Sequence, residues 1–437
     1  MGGRLRRNTQ FLVFKVLFNS RFYYPVFTIL FLDFGLTVAQ FSILNAVWAA
    51  TIVVAEVPSG ALADIIGRKK LLVFASVTMI VEVGIISFIP TTNPEFVFVV
   101  FLVNRILSGL AEAAASGADE AIAYDSLAEK GMRDQWGNVL EVLVRFQSIG
   151  FILAMSVGAA VYDPHLMNTL FGFFGADIHV TQDMTMRYPL YLTLILGVLA
   201  AVATLQLEDP TEGPGIPAKK TPVKEAFGLT LKAGGWILQT KLVFAVILFG
   251  MMFDGIIRTV ITLSSQYYRM IALPESTFGL IGSLVAMLGF IVPKIANRLA
   301  QNRGPAHAIA VTAGLSLTGL SGMSLFWPYA GLLPALVTFS AMYFAGFFVS
   351  FYINRETPSD RRATVLSFKG LACNISYGVL GVLYALLLTS EKQGLTCPDI
   401  ENTVFVNTFF WFPVTLLFWV CALLVIYVVF LKEKRPI

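Results

Sequence analysis

What this chain of 437 residues lacks first is charge: Asp, Glu, Lys and Arg make up only 13% of it. Soluble domains carry about 25%, so an ordinary water-facing surface could not be covered. Cysteine is nearly absent as well. Cys373, Cys397 and Cys421 are too scattered for a disulfide framework or a metal site, and only Cys397 falls in an expected loop. His165, His179 and His307 all lie outside the apolar runs, which argues against a histidine proton relay or a buried metal centre. No G-x-x-x-x-G-K-[ST] phosphate loop occurs, and nothing matches a channel selectivity filter. These absences point to a protein that is not an enzyme and needs no cofactor. The start of the chain, RLRR followed at once by a long apolar run, lacks the short apolar core and cleavage site of a signal peptide.

Apolar residues are what the chain has in excess: 57% of the total, with a mean hydropathy of +0.75. They gather in runs of roughly 20 residues, the length that crosses a bilayer as a helix. A membrane β-barrel would show short alternating segments instead. The expected fold class is an all-α membrane protein with twelve transmembrane helices. They fall near 9–33, 38–59, 69–90, 96–122, 138–162, 186–207, 242–266, 277–298, 306–326, 329–353, 362–389 and 403–431. The longest polar interval runs from Glu208 to about Lys241, opening with EDPTEGPGIPAKKTP and turning amphipathic. It reads as a cytosolic linker followed by a helix along the membrane surface. The domains are then 1–207, 208–241 (the linker) and 242–437, with six spans in each of the larger parts.

Orientation follows from the cations. With both termini cytosolic, the inside segments hold 21 Lys and Arg, and the outside segments hold three, Arg187, Arg269 and Lys392. That is the asymmetry expected when positive loops stay inside. Because the cations alternate loop by loop, the net charge of +4 does not signal a nucleic-acid surface. The lipid bilayer is the partner, and the expected location is the cytoplasmic (inner or plasma) membrane. A faint internal repeat is also present: Leu36, Phe41 and Leu44 recur as Leu273, Phe278 and Ile281, at an offset of 237. Duplicated halves should correspond in this way.

The segment joining the second and third spans, GALADIIGRKK at 60–70, packs Asp64 against Arg68, Lys69 and Lys70. Gly60 and Gly67 bracket it, where a tight hairpin between helices needs small residues. This G-x-L-x-D-x-x-G-R-K-K pattern resembles the loop between the second and third helices of the major facilitator superfamily. Ile65 stands where that family usually carries a basic residue. Arg105, Ser108, Gly109 and Ala111 resemble the family's fourth-helix motif, R-x-x-q-G-x-x-A, with Ser in place of Gln. In the fifth span Gly150, Gly158 and the following Ala-Ala match only part of the Gly-Pro motif of superfamily antiporters, and its Pro is absent.

Ionisable groups inside a bilayer cost about 2.5–3.5 kcal/mol each on insertion scales, so each needs a partner or a task. Arg105, Glu112 and Asp119 recur every seven residues, which places them on one helical stripe. A structural ion pair is the plain alternative for Arg105. Glu141 with Arg145, and Asp254 with Arg258, are i,i+4 pairs for which mutual neutralisation is the simpler reading. Arg21 and Lys369 have no acidic neighbour in sequence. Pairing across helices would explain them, and so would a substrate carboxylate or phosphate. Asn374 and Tyr377 are further cavity candidates. Glu82 is expected to pair across helices or reach an interface.

The family resemblance implies two six-helix bundles with a substrate site between them, alternating access and a monomer. It implies a conformational latch of Gly60, Asp64, Gly67, Arg68 and Asp125, with Asp125 closing a charge cluster. Proton coupling would fall to Glu112 or Asp254, tuned by Arg105, with the proton gradient as the energy source. Arg21, Glu141, Arg145, Arg258, Lys369, Asn374 and Tyr377 would line the substrate cavity. The likeness of the loop and of the EVPSG stretch at 56–60 to drug-efflux relatives points to proton-coupled efflux of a small organic solute. The alternatives are proton-coupled uptake of an anionic or zwitterionic nutrient, favoured by the unpaired cations, and a non-transporting receptor or scaffold of the same fold.

Overall fold

A backbone in hydrocarbon has no water to bond, so each apolar run must satisfy its own N–H and C=O groups as a helix. The computed structural model describes residues 2–116, 118, 119, 122, 123, 136–207, 228, 234–358, 362–393, 395 and 399–426. At 2–8, 60, 61, 64, 65, 136–138, 140, 362–364 and 426 it describes the backbone alone. The first half holds α1 (Gly2–Asn19), a 3-10 turn (Tyr24–Val26), α2 (Phe27–Asp33), α3 (Val38–Ile66), α4 (Arg68–Ser87), α5 (Pro94–Ala115), α6 (Trp136–Tyr162), α7 (Pro164–Phe173), α8 (Gln182–Thr185) and α9 (Tyr188–Leu205). The second half holds α10 (Lys241–Thr262), α11 (Ser264–Met270), a 3-10 turn (Glu275–Thr277), α12 (Phe278–Asn302), α13 (Pro305–Met323), α14 (Leu332–Glu356), α15 (Arg362–Lys392), α16 (Ile400–Phe409) and α17 (Trp411–Ile426). The chain is an all-α, multi-span membrane protein.

Among the described residues, eleven helices are long and apolar enough to cross a membrane, against the twelve expected. The difference lies in the first expected span, 9–33, which is not one helix. It breaks between α1 and α2, where Pro25 supplies no N–H to continue the helical ladder. The freed backbone finds other partners: the Phe22 N–H donates to Thr193 Oγ1 at 3.1 Å, and the Tyr24 N–H to the Arg21 carbonyl at 3.2 Å. The fourth expected span, 96–122, is also interrupted, with 118, 119, 122 and 123 again helical beyond the break. At Ser116 the backbone leaves helical geometry (ψ 119°), so Asp119 does not continue the stripe of Arg105 and Glu112. The expected linker, 208–241, lies outside the described residues except at 228 and 234–241.

The chain forms two compact units. One is Met1–Leu36, Ala50–Ala226 and Pro274–Ser283; the other is Thr37–Ala49, Phe227–Leu273 and Leu284–Ile437. In the first, α4 packs against α5 and α9, and α9 against α1. In the second, α10 packs against α14 and α15, and α13 against α14. Each unit thus takes in a short segment from the other half of the sequence. Pro274–Ser283 is held in the first unit by the Ser276 N–H, which donates to Asp163 Oδ2 at 3.2 Å.

The repeat is far clearer in the backbone than in the sequence. Adding 237 to the bounds of α2, Phe27–Asp33, gives those of α11, Ser264–Met270. The same shift takes Gly35, at φ +91°, to Ala272, at φ +62°. The reversal bonds repeat as well: Leu36 N–H to Phe31 O and Leu273 N–H to Tyr268 O are both 3.1 Å. Between α3 and α4 the single residue Gly67, at φ +95°, turns the chain without a longer loop.

Ala272 therefore occupies a left-handed conformation that costs an L-residue roughly 1–2 kcal/mol. Ala272→Gly is expected to raise stability by about 0.5–1 kcal/mol, the gain being trimmed by glycine's unfolded-state entropy. Gly35→Ala is expected to lower it by about 1–2 kcal/mol, with no contact term, since no atom lies within 4 Å of an added Cβ. Thermal unfolding in detergent measures both. Asp163 gives a second test. Burial pushes its carboxyl up, but hydrogen bonds from Ser276, Leu166 and His165 outweigh that and hold it below the usual range. Its contribution is complete above the ordinary carboxylate pKa of about 3.9 and is lost as pH falls through the lower folded value. The stability gap between wild type and Asp163→Asn should close on acidification and stay constant at neutral pH.

Candidate functional site

Inside the first unit, Arg21, Glu82, Asn104 and Arg105 form one connected network. The break after α1 brings Arg21 out of helical register and turns its guanidinium onto Glu82 of α4, with Nη1 also donating to Tyr23 Oη at 2.8 Å. Asn104 of α5 donates to the second Glu82 oxygen and, at 2.7 Å, to the Glu82 carbonyl. Its own Oδ1 accepts from Arg105 Nε at 3.1 Å. Arg105 lies over the rings of Phe27 and Phe31, 5.3 and 5.6 Å from their centroids. Glu112 is near enough to act electrostatically on Arg21 and Tyr24, yet its side chain forms no ion pair or hydrogen bond among the described residues. Asp119 pairs instead with Lys15 of α1.

The second unit builds a smaller cluster around Arg258 of α10. Arg258 pairs with Asp254 one turn earlier and donates to Asn374 Oδ1 of α15 at 2.8 Å. Its guanidinium stacks over Tyr377, 5.3 Å from the centroid, and Trp48 meets that ring edge-on at 6.5 Å. Lys369 is one helical turn before Cys373, a buried thiol that lies in the field of Asp254, Lys369 and Arg258 together. Lys369 itself has no ion-pair partner among the described residues.

Arg21 and Arg258 are equivalent positions, separated by the same 237 residues as α2 and α11. Their environments differ in one respect that matters chemically. The Arg21 and Glu82 side chains are 3% and 0% exposed, whereas Arg258 and Asp254 are 26% and 17% exposed. Asp254 Oδ2 meets Arg258 as a charge but accepts no well-directed hydrogen bond among the described residues. Glu82, by contrast, has both oxygens engaged. The first pair is fully buried, whereas the second is partly exposed with Asp254 Oδ2 itself buried.

Of the residues singled out from the sequence, the structure gathers Asp254, Arg258, Asn374 and Tyr377 into one cluster with Lys369 beside it. Arg21 and Arg105 join the first network. Glu141 and Arg145 bridge each other at 2.9 Å on an exposed face of α6, apart from either cluster. Of the latch residues, Gly67 and Arg68 are described in full, Gly60 and Asp64 by backbone alone, and Asp125 lies outside the described residues. Sequence reasoning missed Asn104, Thr193 and Trp48. Asn104 had a readable signal, an amide beside an arginine inside an apolar run. Among the described residues, no group of three or more His, Cys, Asp or Glu could hold a metal.

Comparison with solved structures gives the same architecture. The chain is similar to the nucleoside transporter NupG, with 16% identity, 99% of this chain and 100% of that one covered, and a TM-score of 0.71. It is similar to a bacterial homologue of the human lysosomal transporter Spinster, inward-facing and unoccupied (13%, 99% and 98%, 0.67). It is also similar to a D-xylose–proton symporter (14%, 97% and 97%, 0.65). No curated protein matches the chain by sequence. The family model described as Major Facilitator Superfamily matches residues 11–382, and the chain, a multi-span membrane protein of that fold, belongs to this superfamily of transporters.

Proposed function

We propose that the chain is a proton-coupled uptake symporter for a small anionic or zwitterionic organic solute, working by alternating access. The observation that carries this reading is Lys369, a cation in a span with no ion-pair partner among the described residues, beside the partly exposed Asp254–Arg258 pair. A cation within a span is costly to leave unneutralised, and a substrate carboxylate or phosphate would relieve that cost. Asn374, Tyr377 and Trp48 supply an amide and two aromatic faces for the rest of a polar solute. Among the similar structures are a nucleoside transporter and a D-xylose–proton symporter. They support uptake over the efflux expected from the loop motif.

Charge bookkeeping makes symport the natural mode for this cluster. Empty and deprotonated, Asp254, Arg258 and Lys369 sum to one positive charge. A proton on Asp254 releases Arg258, and a monoanion then neutralises one of the two cations. The loaded cluster again carries one positive charge, so moving proton and anion together adds no charge to the membrane interior. Glu112 is the second candidate proton carrier, with Arg105 tuning it. Gly60, Asp64, Gly67, Arg68 and Asp125 remain the proposed latch, and 1–207 and 242–437 the proposed six-helix bundles.

In proteoliposomes, an imposed proton gradient, acid outside, should drive accumulation of labelled carboxylate or amino-acid solutes. Asp254→Asn should abolish gradient-driven accumulation while keeping solute exchange. Lys369→Gln should raise KM for an anionic solute about tenfold, the loss of about 1.4 kcal/mol of binding. Accumulation driven only outward, or a Lys369→Gln variant with unchanged KM, would contradict the proposal.

A further inference from the structure

The segment between α6 and α8 is an ordered element whose apolar side no described residue covers. Asp163 Oδ1 caps α7 by accepting from the His165 and Leu166 N–H groups at 2.9 and 3.2 Å. After α7 the chain reverses at Gly175 (φ +72°), with the Ala176 N–H donating to the Phe171 carbonyl at 2.9 Å. The returning strand is clasped by Asn168, whose Oδ1 accepts from the Val180 N–H at 2.8 Å and whose Nδ2 donates to the Val180 carbonyl at 2.9 Å. Residues 164–180 thus form a closed tongue. Yet α7 buries none of its own side chains. Leu170, Phe173 and Phe174, at i, i+3 and i+4 on one helical face, are 41%, 83% and 79% exposed, and Ile178 on the return is 50% exposed.

We propose that this tongue lies in the interfacial layer of the bilayer, with Leu170, Phe173, Phe174 and Ile178 inserted among lipid acyl chains. Two observations select lipid as the occupant. The tongue is continuous with the lipid-facing surface, since it begins directly after the span Glu141–Tyr162 and ends directly before the span Gln182–Leu205. Its composition also suits a neutral apolar layer: no Lys or Arg occurs between Arg145 and Arg187, so binding follows apolar area and not anionic head groups. Asp177, fully exposed on the return, marks the side that stays in water.

Site-directed spin labelling tests this in full-length protein reconstituted in phosphatidylcholine. With Cys373, Cys397 and Cys421 replaced by alanine, single nitroxides are placed through Phe173→Cys, Leu170→Cys and Asp177→Cys. The logarithm of the oxygen-to-nickel collision ratio should be positive at 173 and 170 and negative at 177, unchanged when phosphatidylglycerol is added. A negative value at both 170 and 173 would put the tongue in water and overturn the proposal. So would shielding of both from both reagents, which would mean that protein covers the face.

Discussion

A charge in hydrocarbon must be neutralised where it stands, and that constraint organises the interior of this protein. In the first unit it draws Arg21, Glu82, Asn104 and Arg105 into one hydrogen-bonded chain that ties the break after α1 to α4 and α5. The break is itself a consequence of Pro25, and Thr193 makes it tolerable by taking up a stranded N–H. Structure and charge are thus settled together. A helix that ran straight through residues 20–26 would give Arg21 a different direction and leave Glu82 without its cation.

The two halves solve the same problem differently. Their backbones agree residue for residue through α2 and α11, down to the left-handed residue that follows each, and they share an arginine in equivalent positions. The partners have diverged. Arg21 meets a buried carboxylate from another helix, whereas Arg258 meets one on its own helix, partly exposed and beside a lysine with no ion-pair partner among the described residues. A sealed ion pair fixes geometry and offers little to a solute. An accessible, loosely directed pair can exchange its partner for a proton or an anion.

Much of this was legible in the sequence, because bilayer crossing leaves coarse marks: run length, cation placement and the 60–70 loop. The i,i+4 spacing of Asp254 and Arg258 survived into the structure since both lie within one unbroken helix. The pattern misleads where a helix breaks. Asp119 looked collinear with Arg105 and Glu112 only on the premise that α5 continued past Ser116. Arg21 looked partnerless because its carboxylate is 61 residues away, a distance no local pattern spans. The repeat was faint in side chains and plain in backbone, as expected when turns are retained while lipid-facing residues drift among equivalent apolar types. Ala272 shows this directly, holding glycine's conformation without being glycine.

The central claim is that one arginine–carboxylate pair is a lock and its repeat counterpart a working site. Double-mutant cycles on thermal unfolding, Arg21→Met with Glu82→Leu and Arg258→Met with Asp254→Leu, compare them directly. A coupling energy of about 2–3 kcal/mol is expected for the first pair and under about 1 kcal/mol for the second. Equal coupling energies, or a larger one for Arg258 with Asp254, would contradict it.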